Sequence, residues 1–371
     1  NDQNYRENYY AEGLYNSEHY FKILSSDVYF PFSDYNRKTQ KQKIKNDAIH
    51  DPCYLLRKKS FGLSFYRYFS YKKIIDQFNP DVIHILESAF FIAYLICNDR
   101  KYKHTKIIYE QEKRTDTIRM GLKSKLSNSL YNTFLKKITE RANIVRCATT
   151  EASDYIRKKT NIDEKKIKMI TLAYNQNSFF YSNEIRNETR KKLNISENQK
   201  IILTTGRLVK FKRIDLIIKS IPNDSLLILI GEISDTSLLK AKKNVITINK
   251  LLNDKELNSF FNAADLAIWT KFSVSYFQAL GTGLKILIPK TDYSHYLKSL
   301  LSKYSLINHF DIQFDEKTYT TKCNDQELIK SISIGITTCL KDTLSRVEKS
   351  SSAKIFSVKN ITKKLLDQYA E

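Results

Sequence analysis

Short β-rich runs alternate with longer helical patterns along almost the whole chain, which is what a parallel sheet with crossover helices requires. In a first series VIHIL (82–86), KIIYE (106–110), NIVRCA (143–148) and IKMITL (167–172) read as strands, with helices at 63–78, 118–141 and 151–159. In a second series the strands are IILTT (201–205), SLLILIG (225–231), NVITIN (244–249), LAIWT (266–270) and KILIP (285–289). Helices are expected near 212–220, 253–263, 275–282 and 325–342. Between the series, residues 175–199 are polar, Asn-rich and strandless, and read as an interdomain linker. The fold class is therefore α/β with two Rossmann-like parallel-sheet domains, expected to face each other across a cleft at the carboxyl ends of their strands.

At 371 residues the chain has material for two or three domains. A formal charge of +22 with 42% hydrophobic content describes a folded basic protein rather than a disordered polycation. Gly and Pro are scarce, at 8 and 5. Five cysteines, odd in number and without metal-ligand spacing, suit a reducing cytoplasm and no structural zinc. The longest apolar run, Ala89 to Cys97, is about half of the roughly 20 residues of a spanning helix. Residues 37–73 hold eleven Lys or Arg against Asp47 and Asp51. The stretch 57–73 interleaves these bases with Phe61, Phe65, Tyr66, Tyr68 and Phe69, which suits an anionic membrane surface. Nucleic-acid binding uses the same residue types, and an amphipathic helix with Phe65 and Phe69 facing a core fits equally. No nucleic-acid partner is expected on charge alone.

Two segments point to chemistry. The first strand of the second series runs into Gly206-Arg207-Leu208-Val209-Lys210-Phe211-Lys212. A Gly at a strand end allows a sharp turn, and Arg207 and Lys212 beside a helix start suit a diphosphate, which they can stabilise as it departs without metal. An exposed basic turn is the alternative. The second segment, Ala264-Asp265-Leu266-Ala267-Ile268-Trp269-Thr270, is a strand that leads through Ser273 and Ser275 into a helix stopped by Gly283. Amides from Ser273 to Tyr276 could bind a phosphate or sugar hydroxyl. Ser275-x-x-Gln278 also reads as a capping box, which requires no ligand.

In this order and spacing the two segments resemble the retaining GT-B glycosyltransferases of the group 1, family 4 type. The family's G-R-L-x-x-x-K-x-x-D segment is matched by Gly206, Arg207, Leu208, Lys212 and Asp215. Its A-D strand, E-x7-E and A-x-x-x-G-x-P segments are matched by Ala264-Asp265, Gln278-Ala279 and Gly283-Leu284-Lys285-Ile286. LAYNQNSFF (172–180) and FSVKNITKKLLDQY (356–369) resemble the family's crossing into the linker and its closing helix. The resemblance implies an acceptor-side domain at 1–175, a donor domain at 176–355 and a helix at 356–371 returning to the first domain. It also implies a first strand upstream of residue 1, since NDQNYRENYYAEGL already leads into a helix.

The implied function is transfer of a sugar, with retention, from a nucleotide-sugar donor to a glycan or lipid-linked acceptor. The implied setting is bacterial surface polysaccharide or lipopolysaccharide assembly at the cytoplasmic face of the membrane. The nucleotide sugar is then a substrate, and no cofactor is called for. Arg207 and Lys212 would hold the diphosphate, Gln278 the ribose, and Gly206, Ser273, Ser275 and Tyr276 would line the donor site. Both family carboxylates are replaced, by Thr270 and Gln278, so a catalytically inactive partner or glycan-binding subunit is the competing reading. Trp269, Ser273 and Ser275 are similar to a variant form with a Trp and two Ser before this helix. Lys285 in place of Pro reads as a change of rigidity. In the first domain Asp81-Val82-Ile83-His84 resembles a family strand, and His84 reads either as a core residue or as part of the acceptor side. The turn from Tyr109 to Arg114 brings up Glu110 and Glu112 as groups that orient an acceptor hydroxyl or take its proton, or as a solvated turn.

Overall fold

A computed structural model of the chain describes residues 6–15, 17–24, 28–29, 40–41, 71–87, 90–113, 122–233, 244–301, 306–312, 323–341 and 345–371. The chain divides into two compact units, the first of Tyr10–Thr171 with Thr362–Glu371 and the second of Leu172–Ile361 together with Asp2–Tyr9. Most of the basic aromatic stretch at 57–73, and Arg114, lie outside the described residues.

The first unit takes in helix α1 (Arg6–Tyr15) from Tyr10 onward and a short antiparallel pair, β1 (Val28–Tyr29) and β2 (Gln40–Lys41). Helix α2 (71–78) then leads into β3 (Val82–Leu86), α3 (Phe90–Asn98), β4 (Lys106–Gln111), α4 (Leu122–Arg141), β5 (Ile144–Cys147), α5 (Thr150–Lys159) and β6 (Ile167–Met169). The strands pair in parallel in the order β3-β4-β5-β6. Strand side chains alternate between faces. Ile83, Ile85, Ile107, Tyr109, Val145 and Cys147 accordingly form a core with Ile92, Ile96, Leu135, Ile138 and Ile156 of the helices. His84, Glu110 and Arg146 stand on the other face.

The second unit begins in the stretch expected as a linker. That expectation is corrected: Asn183–Lys192 is a helix (α6) capped by the Ser182 side chain. Arg186 and Arg190, four apart on one face of α6, reach Asp265 and the carbonyls of Asn262, Ala263 and Ala264. The polar composition that suggests a linker is that of a helix docked through guanidinium groups rather than apolar side chains.

From there run β7 (Lys200–Thr205), α7 (Ile214–Ser220), β8 (Ser225–Ile230), β9 (Val245–Ile248), α8 (Asp254–Ala263), β10 (Leu266–Ile268), α9 (Ser275–Gly281), β11 (Ile286–Pro289), α10 (Asp292–Leu300), β12 (Ile307–Phe310), α11 (Asp325–Leu340) and α12 (Arg346–Ser352). The six strands are parallel in the order β12-β11-β10-β7-β8-β9. Strand order reverses between β7 and β10, and ligands of such sheets bind outside the carboxyl ends of the strands at that reversal. Ile202, Leu227, Leu229, Leu266, Ile268 and Leu287 pack one face of the sheet against Ile214, Ile217, Leu328, Ile332 and Ile336.

Helix α13 (Val358–Ala370) closes the chain, with its residues from Thr362 onward in the first unit. There it meets α1 closely: a Cβ added at Gly13 would overlap the Thr362 side chain. Among the described residues no helix is long and apolar enough to cross a membrane.

Candidate functional site

The reversal between β7 and β10 brings the two sequence segments together. Asp265 sets the register of this pair from the far end, its Oδ2 accepting the Ile201 amide at 2.8 Å and a longer contact from Arg190 while Arg186 donates to its Oδ1. At the carboxyl end, the Trp269 indole N–H donates to the Thr205 carbonyl at 2.9 Å. Trp269 is thus buried core that ties β10 to β7.

Beyond Thr205 the chain turns at Gly206, with φ +102, and its amide donates to the Ile230 carbonyl at 2.9 Å. A Cβ at Gly231 would lie 2.1 Å from the Gly206 carbonyl oxygen, so this close approach needs glycine. Leu208 then follows the end of β8, its amide on the Glu232 carbonyl, before a tight turn at Lys210–Lys212. Arg213 is left-handed at φ 45 and is held by Asp215 and Asp325.

Three groups meet at this turn. A Cβ at Gly206 would lie 3.2 Å from the Lys212 Nζ and 3.9 Å from the Ser273 Oγ. Burial, with the Arg207 charge nearby, pushes the Lys212 ammonium down to about 8. No carboxylate among the described residues pairs with it. A mostly buried cation whose only charged neighbour among the described residues is a second cation is electrostatically incomplete, and an anion completes it.

The second segment departs from its expected roles at several positions. The capping box at Ser275 and Gln278 is corrected: the N-cap of α9 is Val274, with no side-chain cap. The turn is instead closed by Ser273, whose Oγ accepts the Ser275 amide at 3.3 Å and whose carbonyl accepts the Tyr276 amide at 3.2 Å. The Tyr276 amide is therefore engaged internally, and its hydroxyl donates to the Lys271 carbonyl at 2.7 Å. The Thr270 hydroxyl donates to the Lys212 carbonyl and so fastens the basic turn to the end of β10. Gln278 sits in the first turns of α9, only 5% exposed. Gly283, at φ +67, ends α9 with its amide on the Leu280 carbonyl at 2.8 Å. Lys285 changes more than rigidity, because its buried ammonium donates to the Cys339 carbonyl and caps α11.

In the first unit the expected acceptor-side residues separate. Glu110 is 1% exposed, which excludes the solvated turn. Its carboxylate meets Arg146 at 3.2 Å, His84 Nε2 at 3.0 Å and the Tyr10 hydroxyl at 3.1 Å. His84 Nδ1 meets the Tyr369 hydroxyl at 2.9 Å, and Arg146 also donates to the Tyr10 oxygen. Glu110 and His84 are thus parts of one buried network that holds the chain's first and last helices to the sheet. Glu112 is exposed, and its amide donates to the Glu87 carboxylate. Lys72, within the basic stretch, pairs with Asp99 and Asp76. Among the described residues no group of three or more His, Cys, Asp or Glu could hold a metal ion.

No protein-family model matches the chain, and no curated protein sequence matches it. Solved structures do. A sucrose-phosphate synthase from Thermosynechococcus elongatus superposes with a TM-score of 0.72 at 13% identity, over 97% of this chain and 91% of that one. The fold is GT-B. Anabaena HepE, determined with UDP and glucose, superposes with a TM-score of 0.59 at 15% identity over 86% of each chain. WaaG, a glycosyltransferase of lipopolysaccharide biosynthesis, gives 0.59 at 12% identity over 98% of this chain and 95% of that one.

Arg146, Tyr10, Tyr369, Glu87 and Lys113 escaped the sequence reading. The alternation of β4 carried part of the signal: Glu110 and Gln111 must point to opposite faces, so they cannot share one site.

Proposed function

We propose that the chain is a retaining glycosyltransferase of the family 4 type that moves a sugar from a nucleotide-sugar donor to a glycan or lipid-linked acceptor. The observation that carries this reading is the mostly buried Lys212, paired with no carboxylate among the described residues, beside Arg207 at the strand-order reversal of a GT-B fold. HepE, with UDP and glucose in its structure, supports a nucleotide-sugar ligand. WaaG's part in lipopolysaccharide biosynthesis supports surface polysaccharide assembly as the setting.

In this reading Arg207 and Lys212 bind the diphosphate, the Gln278 amide binds the ribose, and Ser273 and Ser275 border the phosphate and sugar. As the bond between the anomeric carbon and the phosphate oxygen breaks, its electron pair leaves with the diphosphate. The two cations are fixed beforehand to meet that charge, which lowers the barrier without a metal. Thr270 acts one step back, holding the Lys212 backbone rather than the sugar.

Thermal shift against UDP-, GDP- and ADP-sugars tests the reading, because a specific donor stabilises the fold by mass action. At least one donor raises the melting temperature of the wild type and not of R207A. Absence of any shift across the panel contradicts the proposal. A shift without turnover instead supports the inactive glycan-binding reading, which Thr270's engagement with the backbone favours.

A further inference from the structure

The Lys212 amine has a chemical capacity that holding a diphosphate does not use. Its Nζ makes no hydrogen bond and no ion pair among the described residues, and it is not fully enclosed, so a small molecule can reach it. Gly206 keeps the space beside it clear. A Cβ there would stand 3.2 Å from the Lys212 Nζ and 3.9 Å from the Ser273 Oγ, and φ +102 disfavours any side chain. Ser273 Oγ accepts the Ser275 amide, while its own proton goes to no acceptor among the described residues. Amine and hydroxyl thus border one small clear space, with the Arg207 charge nearby.

Two properties decide what forms there. Burial beside a like charge brings the ammonium down to about 8, so near that pH about half of the amine is unprotonated. A neutral lysine amine is a nucleophile. Carbon dioxide is a small, uncharged electrophile that needs no leaving group, which suits a mostly buried amine. The Nζ lone pair forms the new nitrogen–carbon bond, one carbon–oxygen π pair moves onto oxygen, and one proton of the amine passes to solvent. The product is a carbamate, and no electron is gained or lost. The end of the Lys212 side chain changes from a cation to an anion, so its repulsion with Arg207 becomes attraction and the Ser273 hydroxyl gains an acceptor.

Lys113 in the first unit supplies the contrast. Burial lowers its ammonium as well, but its charged neighbour is Glu87. A carbamate there would set two negative charges side by side, whereas at Lys212 it meets a positive one. Surrounding charge therefore favours the reaction at the basic turn. We propose that Lys212 is a site of reversible carbamylation by carbon dioxide, and that the carbamate and a diphosphate exclude each other there. The modification stands on the chemistry of the turn; the exclusion rests on the transferase reading.

Carbon NMR of the full chain, in millimolar isotope-labelled bicarbonate near the Lys212 midpoint of about 8, tests both. The wild type gives a protein-bound carbamate signal that Lys212→Arg and Lys212→Met lack, because neither carries an amine. Each variant is checked for an unchanged melting temperature. Carbamates on an α-amine or on other lysines are common to all three proteins and cancel in the difference. Among UDP-, GDP- and ADP-sugars, at least one abolishes the Lys212 signal, and bicarbonate weakens the affinity for that sugar by the reciprocal factor. Identical spectra for the wild type and both variants overturn the modification. A Lys212 signal that persists beside a nucleotide sugar whose thermal shift shows it bound overturns the exclusion. A Lys212 signal without a thermal shift from any nucleotide sugar would sink the transferase reading and leave the modification standing.

Discussion

In the first unit the buried Glu110 carboxylate meets Arg146, His84 and Tyr10, whereas in the second the mostly buried Lys212 ammonium has, among the described residues, only the like charge of Arg207 beside it. Both charges stand beside parallel strands, and both belong to segments that the sequence marks as functional. The difference lies in what surrounds them. Where the buried charges are paired within the protein, the network fastens helices to a sheet; where a mostly buried cation meets no counter-ion among the described residues, stability is given up for an anion that arrives from outside.

Breaking the paired network should have the largest effect on folding. Glu110→Ala strands the Arg146 guanidinium, 1% exposed, and should cost about 3–5 kcal/mol in chemical denaturation. A cost below about 1 kcal/mol would show that solvent or a rearranged partner replaces the carboxylate, and the contrast with Lys212 would fail. The matching change in the second unit should run the other way. Lys212→Ala removes an uncompensated cation, so the ligand-free protein should be as stable as the wild type or more so, while turnover falls by about 10²–10³. If stability and turnover fall together, Lys212 is a packing residue.

Thr270→Val sharpens the comparison by loosening the site without touching its charges. Losing the hydrogen bond to the Lys212 carbonyl should cost about 0.5–1.5 kcal/mol and weaken donor affinity in proportion. The pH dependence reads the same comparison through titration. Because burial lowers the Lys212 ammonium from 10.5 to about 8, the unfolded chain holds this proton across that window more firmly than the folded one. Stability of the ligand-free protein should therefore rise as pH increases from about 8 towards 10.5. UDP affinity, which needs the charged form, should fall over the same range, by up to tenfold per pH unit, and Lys212→Ala should flatten both profiles. A UDP affinity that stays constant from pH 7 to 10 in the wild type would separate Lys212 from the phosphate.

Nine of the twelve strands among the described residues were legible from β-branched, apolar runs, down to VIHIL as β3 and the start of KIIYE as β4. β12 was not, because Asn308 and His309 interrupt a four-residue strand at the sheet edge. Helix α6 was missed for a related reason: its packing face is Arg186 and Arg190, and a guanidinium aimed at helix-end carbonyls leaves no apolar period to read. The turn at Gly206 to Lys212 was legible because its requirements are local, a glycine at the strand end and cations at fixed spacing. The network of Tyr10, Glu110, Arg146 and Tyr369 spans nearly the whole chain, and spacing along a sequence carries no trace of such a meeting. The Ser273 turn was misassigned because Ser275-x-x-Gln278 satisfies the capping pattern while Ser273 closes the turn two residues earlier.

The central claim is that the strand-order reversal of the second unit holds a nucleotide-sugar diphosphate between Arg207 and Lys212. Isothermal titration of the wild type, R207A and K212A with UDP-glucose and with GDP- and ADP-sugars tests it most directly. The account predicts one nucleotide class that binds the wild type and loses about 100-fold or more in affinity in each variant, with the fold intact. Equal binding by all three proteins, or no binding of any nucleotide sugar by the wild type, would contradict it.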